Sequence, residues 1–421
     1  MQDQTIKTNA PVNEFAAARQ FFAGAGRKWW QVLAILTVAI GTFASLYHLY
    51  VPIVGAYDTF VLRPLHLLLI SLVGLLSFSI RGGKRDFSKP DWTWAIDFVL
   101  GVALTLSLVH ILMDPTGLEE RFAYSEATTL DTVAAVALVA LVVELARRCI
   151  GLPIAILIVI ILAYGIWGGD SFSIFRHRPI PTPEVFQGLY MTTFGIFGSP
   201  VAAMATYVFL FIIFGAYIEK CKTGMLIQRV GLKATGKSPG GPAKVAVVTS
   251  ASFGTISGSS LANVMATGAV TIPLMKRIGF RKEDAGGIEA AASSGGQLTP
   301  PIMGAVAFVM SDITGIPYAD IIVAAAVPAL LFYISLFVAI DLTARRDNMQ
   351  GVPDEMMPKR GEIMQLAHMV LPIVTLVVAL VSGYSPMMSA LVGIATAIVV
   401  SSLRAETRLS LPEILGCLHT A

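Results

Sequence analysis

Two stretches of this sequence carry residue types and spacings suited to holding a small, hard cation. The first, residues 243–273, reads AKVAVVTSASFGTISGSSLANVMATGAVTIP and gathers Ser257, Gly258, Ser259, Ser260 and Asn263 at its centre. The second, EAAASSGGQLTPPIMGAVAFVMSD, places Gly295, Gly296 and Thr299 just before tandem Pro300 and Pro301. Hard cations prefer oxygen ligands. Hydroxyls, one amide and backbone carbonyls freed around Gly258, Gly295 and Gly296 supply them for Na+ with no acid in the set. The competing reading is close packing, since small residues let membrane helices approach and Ser or Thr can bond their own backbone. A single small-xxx-small pair would favour packing. A Gly/Ser/Asn tip beside a GG-to-PP break favours a sodium and substrate region.

The elements that must position these residues lie in lipid. The 421 residues are 55% hydrophobic and 14% charged, with a mean hydropathy of +0.73; soluble domains carry roughly a quarter charged residues. About ten apolar stretches approach the length needed to cross a bilayer, beginning near Val32, Leu65, Thr93, Leu130, Leu152, Val201, Ala285, Tyr318, Met364 and Met387. The expected fold is an all-α polytopic membrane protein with a re-entrant hairpin and a broken helix. A net charge of +3 gives no reason to invoke nucleic acid.

Basic residues mark every second loop: Arg27 and Lys28, then Arg81, Lys84, Arg85 and Lys89, then Arg147 and Arg148, then Lys220 to Lys237. Such loops face the cytoplasm, so the N terminus is expected there and the acidic loop at 117–127 outside. Arg176-His177-Arg178, in an expected outer loop, dissents. Cys149, Cys221 and Cys417 show no metal or disulfide spacing, and the polar first residues do not read as a cleavable leader.

Three parts are expected: a cytoplasmic segment 1–28, scaffold helices 29–167, and a transport region 168–421. In the last, 243–273 reads as a hairpin whose arms are each too short to span. Lys244 precedes it and Lys276, Arg277, Arg281 and Lys282 follow, so both ends share the cytoplasmic side. Residues 285–311 read as a helix to Ala292, a break at 293–301 and a second half from Ile302, because consecutive prolines cannot continue a helical ladder. A hairpin tip facing a broken helix is how secondary carriers bind anions and coupling ions at the bilayer midplane.

Other signals weigh less. GLKATGKS at 231–238 fits a phosphate-binding loop letter for letter but lacks the preceding strand, and Pro239-Gly240-Gly241-Pro242 follows it. His48, His66 and His110 could form a proton relay, yet their separation favours hydrogen-bonded residues near the interface. Asp97, Asp131 and Glu144 lie near span ends, where solvated or capping roles are expected. Glu289, a turn before the break, is either a helix-packing partner or a gate. No constellation suggests an enzyme.

At TYVFLFIIFGAYIEK, GGPAKVAVVTSASFGTISGSSLANVMATGAVTIPLMKRIGF, GGIEAAASSGGQLTPPIMGAVAFVMSD and IPYADIIVAAAVPALLFYISLFVAIDLTARRDN, the chain resembles the large membrane subunit of TRAP transporters. Specifically, it resembles the fused form associated with TAXI-type binding proteins. The matching strings cover most of residues 206–348, while RPLHLLL and DWTWAIDFVLG resemble a small membrane subunit fused in front. This resemblance implies an elevator-like carrier of the bacterial inner membrane. It would be driven by a Na+ gradient and accept organic anions, such as carboxylates, from a periplasmic substrate-binding protein. It also implies two inverted repeats, of which only the first is visible here; a truncated or split form is expected not to transport alone. A stand-alone sodium/carboxylate carrier and a non-transporting membrane protein are the alternatives.

Overall fold

The computed structural model describes residues 30–55, 58–87, 89, 91–168, 176–178 and 180–420. The expected cytoplasmic segment 1–28 and half of the loop at 168–183 lie outside the described residues. By contacts the chain divides into two compact units, residues 1–47 with 56–205, and residues 48–55 with 206–421.

Helices begin where the sequence supplies caps. α1 (Gln31–Val54) is followed by α2 (Thr59–Ser77), whose first free amide, on Phe60, donates to the Asp58 carboxylate at 2.7 Å. α3 (Trp94–Met113) runs into the short α4 (Pro115–Ala123). α5 (Thr129–Cys149) opens with a reciprocal capping box, Thr128 bonding the Asp131 amide and Asp131 the Thr128 amide. α6 (Leu152–Trp167) follows a turn at Gly151, whose φ of +129° suits glycine. After α7 (Thr182–Met191), α8 (Ser199–Ala203), a π-turn (Met204–Val208) and α9 (Phe209–Lys220) make one apolar rod. In the first unit, Leu68 and Leu75 of α2, Leu104, Leu108 and Ile111 of α3, and Leu138 of α5 close a dry core with Tyr190 and Phe197.

Charged residues at the two ends of this unit are paired. At one end Asp131, fully buried, receives Arg121 Nε at 3.1 Å, His110 Nε2 at 2.7 Å and the Thr128 hydroxyl at 2.8 Å. That is the bonded, capping role expected for His110 and Asp131. At the other, Arg148 Nη1 donates to Asp97 Oδ1 at 2.5 Å, Arg85 Nη2 donates to Asp97 Oδ2, and Arg148 Nε and Arg147 Nε both reach Glu144 at 2.7 Å. Here the expectation for Asp97 is corrected. It is only 4% exposed and binds two arginines that are themselves buried, Arg148 from α5, which packs on α3, and Arg85 from the segment between α2 and α3.

The second unit continues with α10 (Thr223–Thr235), α11 (Gly241–Ser257), α12 (Ser260–Arg277), α13 (Lys282–Gly295), α14 (Ala305–Thr314) and α15 (Tyr318–Arg346). α16 (Arg360–Leu366), a 3-10 turn and α17 (Leu371–Val381) form another apolar rod, followed by α18 (Pro386–Ser401) and α19 (Leu411–Thr420). The GLKATGKS run occupies the end of α10 and the turn after it. Its Lys237 pairs with Asp354 and its Gly236 carbonyl accepts from Val352, so no strand leads into it.

Among the described residues, 7 helices are long and apolar enough to span, and Leu152–Trp167, Ala305–Thr314 and Pro386–Ser401 are shorter apolar helices. There is no strand among them beyond a single bridge between Phe78 and Lys84. The molecule is an all-α polytopic membrane protein.

Candidate functional site

α11 and α12 form a helical hairpin. Ala243 and Val247 of the first arm pack on Met275 of the second, which brings the two outer ends together, and Gly258 turns the chain with φ +60°. The arms are longer than expected, 17 and 18 residues, about 26 Å each at 1.5 Å per residue. Pro273 does not end the second arm: the helix passes through it to Arg277, as prolines in membrane helices can when neighbours satisfy the freed carbonyl. At the base, Arg281 Nε donates to Asp284 at 2.7 Å, and this hydrogen bond holds the Asp284 carboxyl below the usual carboxylate range.

The broken helix also differs in its limits. α13 starts at Lys282 and stays helical through Gly295, a 3-10 turn covers Gly296–Leu298, and the interruption runs from Thr299 to Gly304. Gly295 and Gly296 keep helical φ of −59° and −58°, so they are not the break. Their role is close approach. A Cβ on Gly296 would stand 2.7 Å from Gly254 Cα, and one on Gly295 would strike the Phe332 ring. Nor are their carbonyls free: Gly295 O accepts the Thr299 hydroxyl at 2.8 Å and Gly296 O accepts the Thr299 amide at 3.2 Å.

The hairpin tip seats on the interruption. Ile302 N donates to Thr255 O at 3.4 Å, Gln297 Nε2 donates to Ser260 Oγ at 3.0 Å, and a Cβ on Gly258 would collide with Met303 O. Asn263, fully buried, lies beside the Gly254–Gly296 contact and is fixed by donating to Ser250 O at 2.8 Å. Ser259 caps α12 by accepting the Ala262 amide, and Ser257 sits next to it at the turn. Thr299 is placed differently, its hydroxyl bonded to Gly295 O and 3.4 Å from the Tyr333 hydroxyl of α15. The structure thus brings Ser257, Gly258, Ser259, Ser260, Asn263 and Gly296 to one junction and turns Thr299 toward α15. Helices α12 and α14 both begin there, and a helix N-terminus favours negative charge.

Sequence reasoning missed Gln297, the side-chain link from break to tip; a lone amide between GG and PP was the signal. It also missed the company of Glu289. Ser250, Thr267, Thr271 and Ser293 all hydrogen-bond that carboxyl, and the i,i+4 pairs Thr267/Thr271 and Glu289/Ser293 could have suggested it.

The fold and the junction together define an all-α polytopic membrane protein with a helical hairpin docked on an interrupted helix. The family model for the DctM component of the tripartite ATP-independent periplasmic transporters matches residues 137–421, and the chain belongs to that family. It is 33% identical over 143 residues to the C4-dicarboxylate TRAP transporter large permease protein DctM of Vibrio cholerae serotype O1, covering 34% of this chain and 31% of that one. The protein of the same name from Pseudomonas aeruginosa is 31% identical over 146 residues, 34% of this chain and 33% of its own. An uncharacterized protein, y4mL, of Sinorhizobium fredii is 28% identical over 171 residues, covering 41% and 40% of the two chains. The chain therefore spans about a third of the length of the DctM permeases it matches.

Proposed function

We propose that the chain is the membrane component of a sodium-coupled secondary transporter that imports organic anions such as carboxylates. A periplasmic substrate-binding protein of the TAXI type would deliver the anion, and residues 29–167 would act as a fused small subunit. The observation that carries this reading is the seating of the Gly258 turn on Met303 and Gln297, which puts two helix N-termini beside a group of neutral oxygens. The former suit a carboxylate and the latter a hard monovalent cation. The printed names of the DctM relatives, which specify C4-dicarboxylates, support the substrate class.

The sodium site is proposed at Ser257, Gly258, Ser259, Ser260, Asn263, Gly295, Gly296 and Thr299. Asn263 has the largest share, because its amide nitrogen is held by Ser250 O while its Oδ1 has only a 3.3 Å contact with Thr267. Asn263→Ala is expected to weaken sodium binding about tenfold, equivalent to about 1.4 kcal/mol, with Thr299→Ala showing the smaller effect. The measurement is the sodium-dependent rise in melting temperature of the purified chain. If both variants lose stability equally with and without sodium while the rise is unchanged, these residues only pack helices.

Orientation is part of the same proposal. Basic residues at both ends of the hairpin and the basic loops of the first unit put the N terminus and the hairpin base in the cytoplasm of a bacterial inner membrane. Reporters fused just before Lys244 and just after Arg277 are expected to report the same, cytoplasmic, compartment. Opposite compartments would make the stretch an ordinary span and remove the carrier geometry.

A further inference from the structure

The first unit holds a cleft that the sodium reading does not use. It lies where α1 starts, α2 ends and α3 starts, and encloses about 370 Å³, within the range of about 300–1,000 Å³ typical of small-molecule sites. Leu36 of α1, Leu72 and Leu75 of α2, and Phe98 and Val102 of α3 form its walls. α2 and α3 pack on each other, and the start of α1 is fixed beside them where Ala34 and Phe87 are buried together. Leu36, Phe98 and Val102 are exposed on candidate spans, so the cleft opens toward lipid.

An arginine closes its polar end. Arg85, only 6% exposed, lines the cleft beside Asp97. Its Nη2 donates to Asp97, and its Nε comes no nearer than 3.8 Å to Asp91. Its Nη1 is buried and has no acceptor among the described residues, and a buried donor left unmade is costly. Arg81, Lys84 and Lys89, exposed in the same segment, make no ion pair among the described residues. Asp91 and Asp97 are already engaged, the first by Thr93 and the second by two arginines. The polar end therefore carries surplus positive charge.

These features select the occupant. Water would satisfy Nη1, but walls of leucine, valine and phenylalanine give it too few polar partners. A free anion would meet the arginine and leave the apolar walls bare. An acyl chain suits the walls: from Trp94 to Leu106 the cleft follows α3 for about 18 Å at 1.5 Å per residue, against about 15 Å for half of the hydrocarbon layer. A guanidinium suits phosphate oxygens, and basic pockets between membrane helices take anionic lipid headgroups.

We propose that this cleft is a binding site for one anionic phospholipid of the surrounding membrane. A phosphate oxygen accepts from Arg85 Nη1, one acyl chain lies along Leu72, Leu75, Phe98 and Val102, and Arg81, Lys84 and Lys89 supply the surrounding positive field. The lipid completes the charge network around Asp97 and ties α1 to α2 and α3.

The test combines native mass spectrometry with thermal melting of the delipidated, purified chain in one detergent, with phosphatidylglycerol, phosphatidylcholine or inorganic phosphate added. One tightly held phosphatidylglycerol per chain is expected, with a saturable rise in melting temperature. Phosphatidylcholine is expected to bind about tenfold more weakly, the order that one or two charges near a membrane surface supply, and inorganic phosphate to give no rise at the same concentration. Arg85→Lys keeps a charge toward Asp97 but removes Nη1, and is expected to weaken phosphatidylglycerol binding about tenfold, as for loss of one charge-assisted hydrogen bond. Val102→Trp fills the cleft without touching Arg85 or Asp97. It should abolish the retained lipid while the lipid-free melting temperature stays near that of wild type. Each variant decides alone should the other fail to fold. Equal binding of the two lipids, a matching rise with inorganic phosphate, or wild-type affinity in either folded variant would overturn the proposal. The readout involves neither sodium nor transport, so its failure leaves the carrier reading untouched.

Discussion

Asp97→Ala is expected to destabilise the purified protein by about 3–5 kcal/mol, the cost of breaking a buried ion pair by removing one partner. The magnitude follows from what is left behind. Asp97 neutralises both Arg85 and Arg148, which are 6% and 3% exposed, so its loss strands positive charge from two elements at once. Arg148 keeps Glu144, while Arg85 keeps only a 3.8 Å approach to Asp91. As a control, Asp354→Ala breaks the pair with Lys237, whose two side chains are 65% and 82% exposed. Exposed pairs contribute about 0–1 kcal/mol. Thermal melts in one detergent give the comparison. Equal, small losses in the two variants would show that the Asp97 network is wet.

Gly254→Ala is expected to unseat the hairpin from the broken helix, because the added Cβ would fall on the Cα of Gly296. Backbone meets backbone there, so no rotamer change relieves the clash. Overpacking of this kind costs about 1–3 kcal/mol or more, and the sodium-dependent rise in melting temperature should disappear with it. Gly286→Ala, on α13, supplies the opposite sign. Nothing lies within 4 Å of its added methyl, and alanine is about 1 kcal/mol better than glycine inside a helix. Stability should therefore rise and sodium response persist. If Gly254→Ala keeps the wild-type sodium response, the Gly254–Gly296 contact is not what organises the site.

Backbone-coded features were legible in the sequence, and side-chain convergence was not. The turn at Gly258 and the interruption at Pro300-Pro301 could be read directly, since both residue types act on their own φ and hydrogen bonds. Gly295-Gly296 was misassigned to the break because a glycine serves equally for unusual φ and for close approach, and only the facing residues Gly254 and Phe332 decide between them. Pro273 misled in the other direction, its helix continuing for a turn where lone prolines often mark an end. Asp97 could not be recognised as buried, because its partners come from residues 85 and 148, on separate segments. The apolar stretches themselves were clear from composition, although those at Leu152 and Met387 become helices of only 16 residues.

The length of α15 sets a condition on the membrane around it. Its 29 residues extend about 43 Å at 1.5 Å per residue, against a hydrocarbon layer about 30 Å thick. Asp320 near its start and Asp341, Arg345 and Arg346 near its end bracket the apolar part, and most of that surface is exposed. Between those polar collars the rod spans about 30 Å, close to the depth of the layer. In a thinner bilayer it would lean, bend at Pro328 or thicken the lipid beside it, at a cost of fractions of a kcal/mol per ångström of mismatch. Lys244 is tied to Asp341 on this same rod, so its inclination bears directly on the base of the hairpin. Bilayer thickness thus acts on the junction at Gly258 as a mechanical load, delivered along a lever whose far end is in the lipid.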